Sequence, residues 1–284
     1  MSTSSDPARQ CCICQTGKHS IPYRCDGGHE LVRCGACGLI YLNKTSNPLL
    51  FFDDARKELE SDSKKVEYWG FPEMHSRFPL VFESYFRERL QRCLRYKPGA
   101  RSIFDIGCGY GFYMAHCRDA GLRTKGIDIS REAVSYARDV LKLDAEEGSF
   151  YDHLVREYYD MYNCCDVLEH LEDPNKELHK MAEIIGPGSV AYFQVPDVIG
   201  LKIPYGHNLG LPHHLWQFNF KTLSRLLEKH GFIVLNKWYG VQGVIGAYVR
   251  NEADVFTRLT WHIARACSLG NRLMVLCKKR SKML

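Results

Sequence analysis

Long hydrophobic runs are missing from this 284-residue chain. No segment approaches the ~20 consecutive apolar residues that a membrane-spanning helix requires, which excludes a membrane-spanning helical protein. The opening stretch MSTSSDPARQ lacks the apolar core of a secretory signal, so the expected location is cytoplasmic. Charge of one sign is not in excess: 38 basic and 33 acidic side chains leave a formal net charge of +5. Only the tail CKKRSKML is densely basic, and it reads as a solvated end. Internal repeats and low-complexity tracts are absent, which sets aside a solenoid. Cysteine is plentiful at 13, but the number is odd. A secreted disulfide framework needs a smaller chain and an export signal, so free core thiols are expected instead. The 45% hydrophobic and 25% charged content is ordinary for a globular protein, and the length suits one main domain plus a small one.

Four cysteines stand apart. Cys11 and Cys14 form one C-x-x-C, and Cys34 and Cys37 in RCGACGLIY form another, with nineteen residues between the two pairs. Paired thiolates at this spacing wrap one tetrahedral Zn²⁺, with glycines permitting the tight turns. Residues 1–45 are therefore expected to form a zinc-ribbon-like module with a structural metal. Cys12, His19, Cys25 and His29 lie nearby but break the paired spacing. Residues 46–99 read as a helical linker or lid, ended by Pro98 and Gly99.

From residue 100 to 284, short apolar segments alternate with helical ones, the pattern of an α/β doubly wound parallel sheet. Strands are expected at Ser102–Ile106, Thr124–Ile127, Met161–Cys165, Val190–Val195, Phe232–Lys237 and Leu273–Cys277. Helices are expected near Phe112–Ala120, Arg131–Leu141, Asn175–Ile185 and Thr222–His230, with one more over 251–268.

The stretch SIFDIGCGYGFYMAHC, Ser102 to Cys117, reads as buried strand, glycine turn, helix. Gly107, Gly109 and Gly111 permit positive φ and close approach of backbone to a ligand at a helix start. A dinucleotide site would space its glycines G-x-G-x-x-G and hold a pyrophosphate. Here the spacing is G-x-G-x-G, and Asp105 stands two residues ahead. Its carboxylate would repel a pyrophosphate and favour a ligand carrying an ammonium group. Asp128, in KGIDIS, follows the next strand and suits ribose hydroxyls.

These residues resemble the class I S-adenosylmethionine-dependent methyltransferases. FDIGCGYG is similar to their first motif, GIDIS to their second, and DVLEHLEDP, Asp166 to Pro174, to the motif after the fourth strand. HHLWQFNFKTLSRLLEKHGF resembles a late segment of the small-molecule branch, and small zinc ribbons resemble modules ahead of some small-molecule and ribosomal-RNA methyltransferases. The resemblance spans roughly Tyr68 to Lys279. It implies a seven-stranded Rossmann-like sheet with an antiparallel final strand and S-adenosylmethionine as cofactor. It further implies that Asp105, Gly107, Gly109, Gly111, Asp128, Ile129, Ser149, Phe150 and Asp166 line the cofactor site, with Tyr68, Trp69 and Arg77 as lid candidates.

The expected reaction is methyl transfer to a small-molecule acceptor, O-methylation being favoured. The sulfonium donor is already activated, so the protein mainly aligns the partners and excludes water. A hydroxyl acceptor also benefits from a base, and His170, His213 and His214 are the candidates. Adjacent histidines on an extended backbone face opposite ways, so one of His213 and His214 is expected to meet the acceptor, His213 being preferred. Asp166, Glu169 and His170 resemble a motif of quinone O-methyltransferases that can hold a divalent cation. Two other readings stand beside this one: an RNA-base methyltransferase gripping RNA with its ribbon, and a cofactor-binding scaffold without catalysis. Aromatic and basic residues do not alternate along the ribbon as an RNA platform would require.

Overall fold

The computed structural model describes residues 8–16, 20–26, 28–43, 70–153, 157–203, 209–241 and 255–280, and for 255–258 and 261 only the backbone. Its N-terminal part is a small antiparallel sheet of β1 (Ser20–Asp26), β2 (His29–Cys34) and β3 (Ile40–Leu42). Leu31, Cys34 and the whole of β3 are buried, whereas β1 is mostly exposed. A fourth strand, β9 (Trp216–Gln217), comes from far along the chain and pairs Ile40 with Gln217 and Tyr41 with Trp216.

Two helices follow, α1 (Pro72–Arg77) and α2 (Pro79–Tyr96), each opened by a proline whose missing N–H costs nothing in the first turn. In α2, Phe82, Phe86, Leu90 and Cys93 recur at helical spacing and are buried. They pack on Ile103, Tyr113, Met161, Val190 and Tyr192, covering one face of the large sheet. Gly99, at φ +79°, then turns the chain into the first large-sheet strand.

That sheet contains β4 (Ser102–Ile106), β5 (Arg123–Asp128), β6 (Ala145–Glu147), β7 (Met161–Cys165), β8 (Val190–Pro196), β10 (Phe232–Gly240) and β11 (Arg272–Lys279). Their order is β10-β11-β8-β7-β4-β5-β6. Strands β4 to β8 pair in parallel and β11 runs antiparallel to both neighbours, as the resemblance implied. Buried on both faces, β4 and β8 read as near-continuous apolar runs, which is why they were legible. Helices α3 (Phe112–Asp119), α4 (Arg131–Asp139), α5 (Pro174–Ile184), α6 (Phe220–Lys229) and α7 (Val255–Ala266) connect the strands. Order reverses between β4 and β7, and it is beyond the strand ends at such a switch point that open α/β sheets bind ligands.

Five strands escaped the sequence reading: β1, β2 and β3 of the cysteine module, where no strand was expected, and β6 and β9. β6 has three residues, Ala-Glu-Glu, and sits at the sheet edge, where no apolar run is demanded. β9 has only two residues, and its partner is some 175 positions away in the chain, so no local pattern announces it. The lid candidates Tyr68 and Trp69 fall outside the described residues, whereas Arg77 is described, its guanidinium 5.0 Å over the Phe78 ring.

Candidate active site

The glycine turn after β4 is built from three left-handed residues, Gly107, Gly109 and Gly111, at φ +72°, +52° and +80°. A side chain at Gly107 would put its Cβ 2.3 Å from Cγ2 of Val167. The turn thus lies directly against the segment that follows β7. Gly107 and Cys108 both donate to the Ile127 carbonyl, at 2.9 and 3.1 Å. Asp128, at the end of β5, accepts from the Gly109 N–H and from the Ser130 N–H, each at 2.8 Å. Its carboxylate is therefore also the clamp that shapes the turn, a role the spacing alone did not reveal. A carboxylate has lone pairs beyond these two bonds. The next residue, Ile129, is 53% exposed, an apolar surface beside the clamp.

Asp105 is buried beneath the turn and accepts from Asn163 Nδ2 at 2.5 Å. Burial raises its pKa to about 6, a shift opposed by the Asn163 bond and by Arg89. Ser149 donates to Glu177 Oε1 at 3.2 Å, and Phe150 is buried with its ring 5.7 Å from Phe104, so both side chains serve the wall beneath the site. Asp166 sits at φ +55° directly after β7, a conformation uncommon for a non-glycine residue. Its N–H donates to the Gln194 carbonyl, and its Oδ2 accepts from Gln194 Nε2 at 2.6 Å. Arg272 Nε lies 3.7 Å from Oδ1, and Tyr85 donates to Gln194 Oε1. Tyr85, Gln194 and Arg272 come from three elements and were not singled out in the sequence, because nothing local marks them.

Three titratable groups converge behind Asp166. Glu169, His170 and His214 bring one ligand atom each within 4.8 Å of one another. Glu169 is 1% exposed, and among the described residues neither of its carboxylate oxygens has a hydrogen-bond partner. Burial, with the Asp166 charge adding to it, drives its pKa well above the usual carboxylate range. His170 Nδ1 lies 3.1 Å from the His213 carbonyl, an acceptor, so Nδ1 carries the proton and Nε2 the lone pair. That Nε2 lies 3.9 Å from Glu169 Oε1, and burial lowers the His170 pKa to about 4. His214 packs edge-on to the His170 ring at 4.8 Å, has an unpartnered Nδ1 and is driven well below the ordinary histidine range by burial. Its ring occupies the space where a Cβ on Gly210 (φ +71°) would fall, so only glycine fits there. His213 and His214 are both half-buried and both donate their N–H to the Gly210 carbonyl, but it is His214 that turns its ring against His170. The adjacent histidines thus have different surroundings. Asp166 lies outside the Glu169–His170–His214 group.

A model of the methyltransferase domain matches residues 75–237. The chain belongs to the methyltransferase-domain family. Among curated relatives, a ubiquinone biosynthesis O-methyltransferase of Hydrogenovibrio crunogenus is 32% identical over 102 residues, 33% of this chain and 42% of that protein. The namesake of Bordetella avium is 29% identical over 164 residues, 53% of this chain and 64% of that one. This methyltransferase-family chain therefore spans less than two thirds of these relatives' length. Among solved structures, an S-adenosylmethionine-dependent methyltransferase of Clostridium acetobutylicum matches with a TM-score of 0.51 at 12% identity, covering 73% of this chain and all of that one. The [4+2]-cyclase SpnF matches with a TM-score of 0.51 at 15% identity, over 70% and 81% of the two chains. The fold is that of the class I methyltransferases, and a cyclase on the same frame shows that the frame alone does not name the reaction.

The four N-terminal thiols Cys11, Cys14, Cys34 and Cys37 also lie within 4.8 Å of one another, with Cys11 and Cys37 sulfurs 3.5 Å apart. Tetrahedral Zn–S bonds of about 2.3 Å place sulfurs about 3.8 Å apart, close to this spacing. The Cys11 hydrogen bond and burial push the Cys37 pKa up, and burial with the neighbouring thiols raises that of Cys14 to about 11. Cys12 is buried outside the group, Cys25 is exposed, and His19 lies outside the described residues.

Proposed function

We propose that the protein is an S-adenosylmethionine-dependent methyltransferase acting on a hydroxyl group of a small, phenol-type acceptor. The observation that carries this reading is the contact of Gly107 with Val167, which sets the cofactor turn against the segment bearing Glu169 and His170. A sulfonium held at the turn and a hydroxyl held at that segment would be close enough for in-line displacement. The names of the curated relatives support a quinone-related O-methyl acceptor.

In this reading Asp105, the three glycines, Asp128, Ile129 and Asp166 hold the cofactor, with Ser149 and Phe150 shaping the floor of its pocket. The partly exposed His213 is the base that takes the acceptor proton. The two-histidine-one-carboxylate set of Glu169, His170 and His214 would fit a divalent cation on loss of the Glu169 proton, since among the described residues its carboxylate oxygens and His214 Nδ1 lack partners. Such an ion would act as a Lewis acid that lowers the pKa of a bound phenol. Cys11, Cys14, Cys34 and Cys37 hold a structural Zn²⁺, for which four mutually close thiols are the expected donor set.

The test is transfer of labelled methyl from S-adenosylmethionine to 3,4-dihydroxybenzoate and related catechols, with an RNA pool run alongside. Label in the catechol ether, reduced ~10²–10⁴-fold by His213→Ala with little change in cofactor affinity, is the expected result. Label confined to RNA, with steep salt dependence, would overturn the small-molecule reading.

A further inference from the structure

The cysteine module turns its buried face towards its own chain. Leu31, Leu39, Tyr41 and Leu42 belong to one continuous core with Leu215, Phe218, Leu223 and Phe232 of the large domain. Leu42 N–H donates to the Leu215 carbonyl at 2.9 Å, and β3 pairs with β9 through Tyr41 and Trp216. The Cys12 carbonyl, inside the first knuckle, accepts from Asn175 Nδ2 at 3.0 Å and Lys229 Nζ at 3.2 Å. On its other side β9 grips the acceptor segment. Leu215 and Trp216 N–H groups both donate to the Glu169 carbonyl, at 2.8 and 3.3 Å, and Trp216 Nε1 donates to the Leu171 carbonyl at 2.6 Å. The Trp216 ring is 2% exposed, 5.6 Å from Tyr41 and 5.5 Å beneath the Arg9 guanidinium.

From these contacts we propose that the four-cysteine module is an internal brace for the acceptor side of the site, with Trp216 as its positioning residue. The proposal rests on the zinc and acceptor assignments made above. A two-residue strand does not hold its place by itself, because isolated short pairings are at best marginal in water. β9 is held because β3 offers it a paired edge, and β3 is held because the knuckles are closed. The shared apolar core docks the module, and metal binding adds its own free energy to closing the knuckles, because the four thiols come together only when they are closed. That free energy passes through β3 and β9 to the backbone of Glu169 and Leu171, and to His214 one residue before Leu215. The cofactor turn takes its hydrogen bonds from Ile127 and Asp128 instead and meets the braced segment only where Gly107 packs on Val167. The brace therefore acts on the acceptor groups directly and on the cofactor turn only through that packing.

The experiment compares the full chain as purified with the same chain stripped by 1,10-phenanthroline, zinc content being measured in both. Amide exchange is followed in peptides covering 167–172, 209–217 and 105–111, and carbethoxylation of His214 by diethylpyrocarbonate is followed by peptide mass. After zinc loss, exchange in the first two peptides and modification of His214 should accelerate at least tenfold. Exchange at 105–111 and S-adenosylhomocysteine affinity in calorimetry should stay within twofold. Trp216→Phe keeps the ring but loses the bond to Leu171, and should loosen 167–172 in a chain that still holds its zinc. Unchanged exchange and unchanged His214 protection after complete zinc loss would overturn the brace. A chain purified without zinc would sink the metal assignment alone, and Trp216→Phe would then decide the brace by itself: loosening at 167–172 supports it, and unchanged exchange removes it.

Discussion

Asp105 shows how a carboxylate picked out by its position gains a further property in the folded chain. From its place two residues ahead of the glycines, a site for a cationic ligand is expected. Its burial against Asn163, which raises its pKa to about 6, appears only in three dimensions. Because that folded-state value lies above the ordinary 3.8, the protonated form stabilises the ligand-free fold. The contribution is fully present below pH 3.8 and is lost as pH rises through about 6. Two pH units correspond to roughly 3 kcal/mol. Asp105→Asn should therefore flatten the pH dependence of ligand-free melting in this window. A bound sulfonium and ammonium favour the ionised carboxylate, so S-adenosylmethionine affinity of the native protein should fall below about pH 6. In Asp105→Asn it should be weaker and nearly independent of pH. Calorimetry on either side of pH 6 checks both, and an unchanged affinity profile in the variant would remove Asp105 from the cofactor site.

Asp128 makes the complementary case. The sequence marks it as a ribose acceptor, and the structure adds its two bonds to the Gly109 and Ser130 N–H groups. Asp128→Ala should weaken S-adenosylhomocysteine binding by at least roughly 1.5–3 kcal/mol, the range for one hydrogen bond to a charged group. Asp128→Asn, which keeps an acceptor, should lose less. Equal affinity of Asp128→Ala and native protein in calorimetry would refute the assignment.

At the scale of elements, the segment from β9 into α6 concentrates most of the control. Asn219 Oδ1 accepts from Thr222 N–H and Thr222 Oγ1 accepts from Asn219 N–H, both at 3.0 Å, a reciprocal cap that starts α6 two residues after β9. Asn219→Ala should cost about 1 kcal/mol in denaturant unfolding. A second consequence concerns Gly210. With positive φ and the His214 ring in the way, Gly210→Ala should displace that ring. The expected signature is faster carbethoxylation of His214 with little change in S-adenosylhomocysteine affinity. A His214 reactivity equal to that of the native protein would show that the turn has room to adjust.

Over the whole molecule, the small and large sheets share one apolar core running from Leu31 and Leu42 through Leu215 to Phe232. Cutting the chain ahead of residue 46 would uncover Leu215, Trp216 and Phe218, which are all but fully buried in the intact protein. Such a truncated chain should aggregate rather than behave as a free-standing methyltransferase domain. A monodisperse, cofactor-binding product in size-exclusion chromatography would show that the large domain stands alone. Cys34→Ser acts on the same surface more gently, removing one of the four thiols and loosening the face that covers β9.

The sequence alone determined those features that depend on neighbours in the chain. Buried strands such as Ser102–Ile106 must be apolar runs, and helices must repeat every three or four residues, so the order of the long strands and helices of the large domain was legible. The glycine turn was legible because positive φ restricts residue choice, and the paired cysteines because thiol chemistry at close spacing has few uses. Tertiary structure alone decided which distant residues share a site. His214 meets Glu169 and His170 because the next two residues donate to the Glu169 carbonyl, and Arg272 reaches Asp166 because β11 lies beside β8. Contacts of that kind leave no local period or spacing, since each partner satisfies its own element's pattern. They are set by sheet order and by the burial that holds the two sheets together.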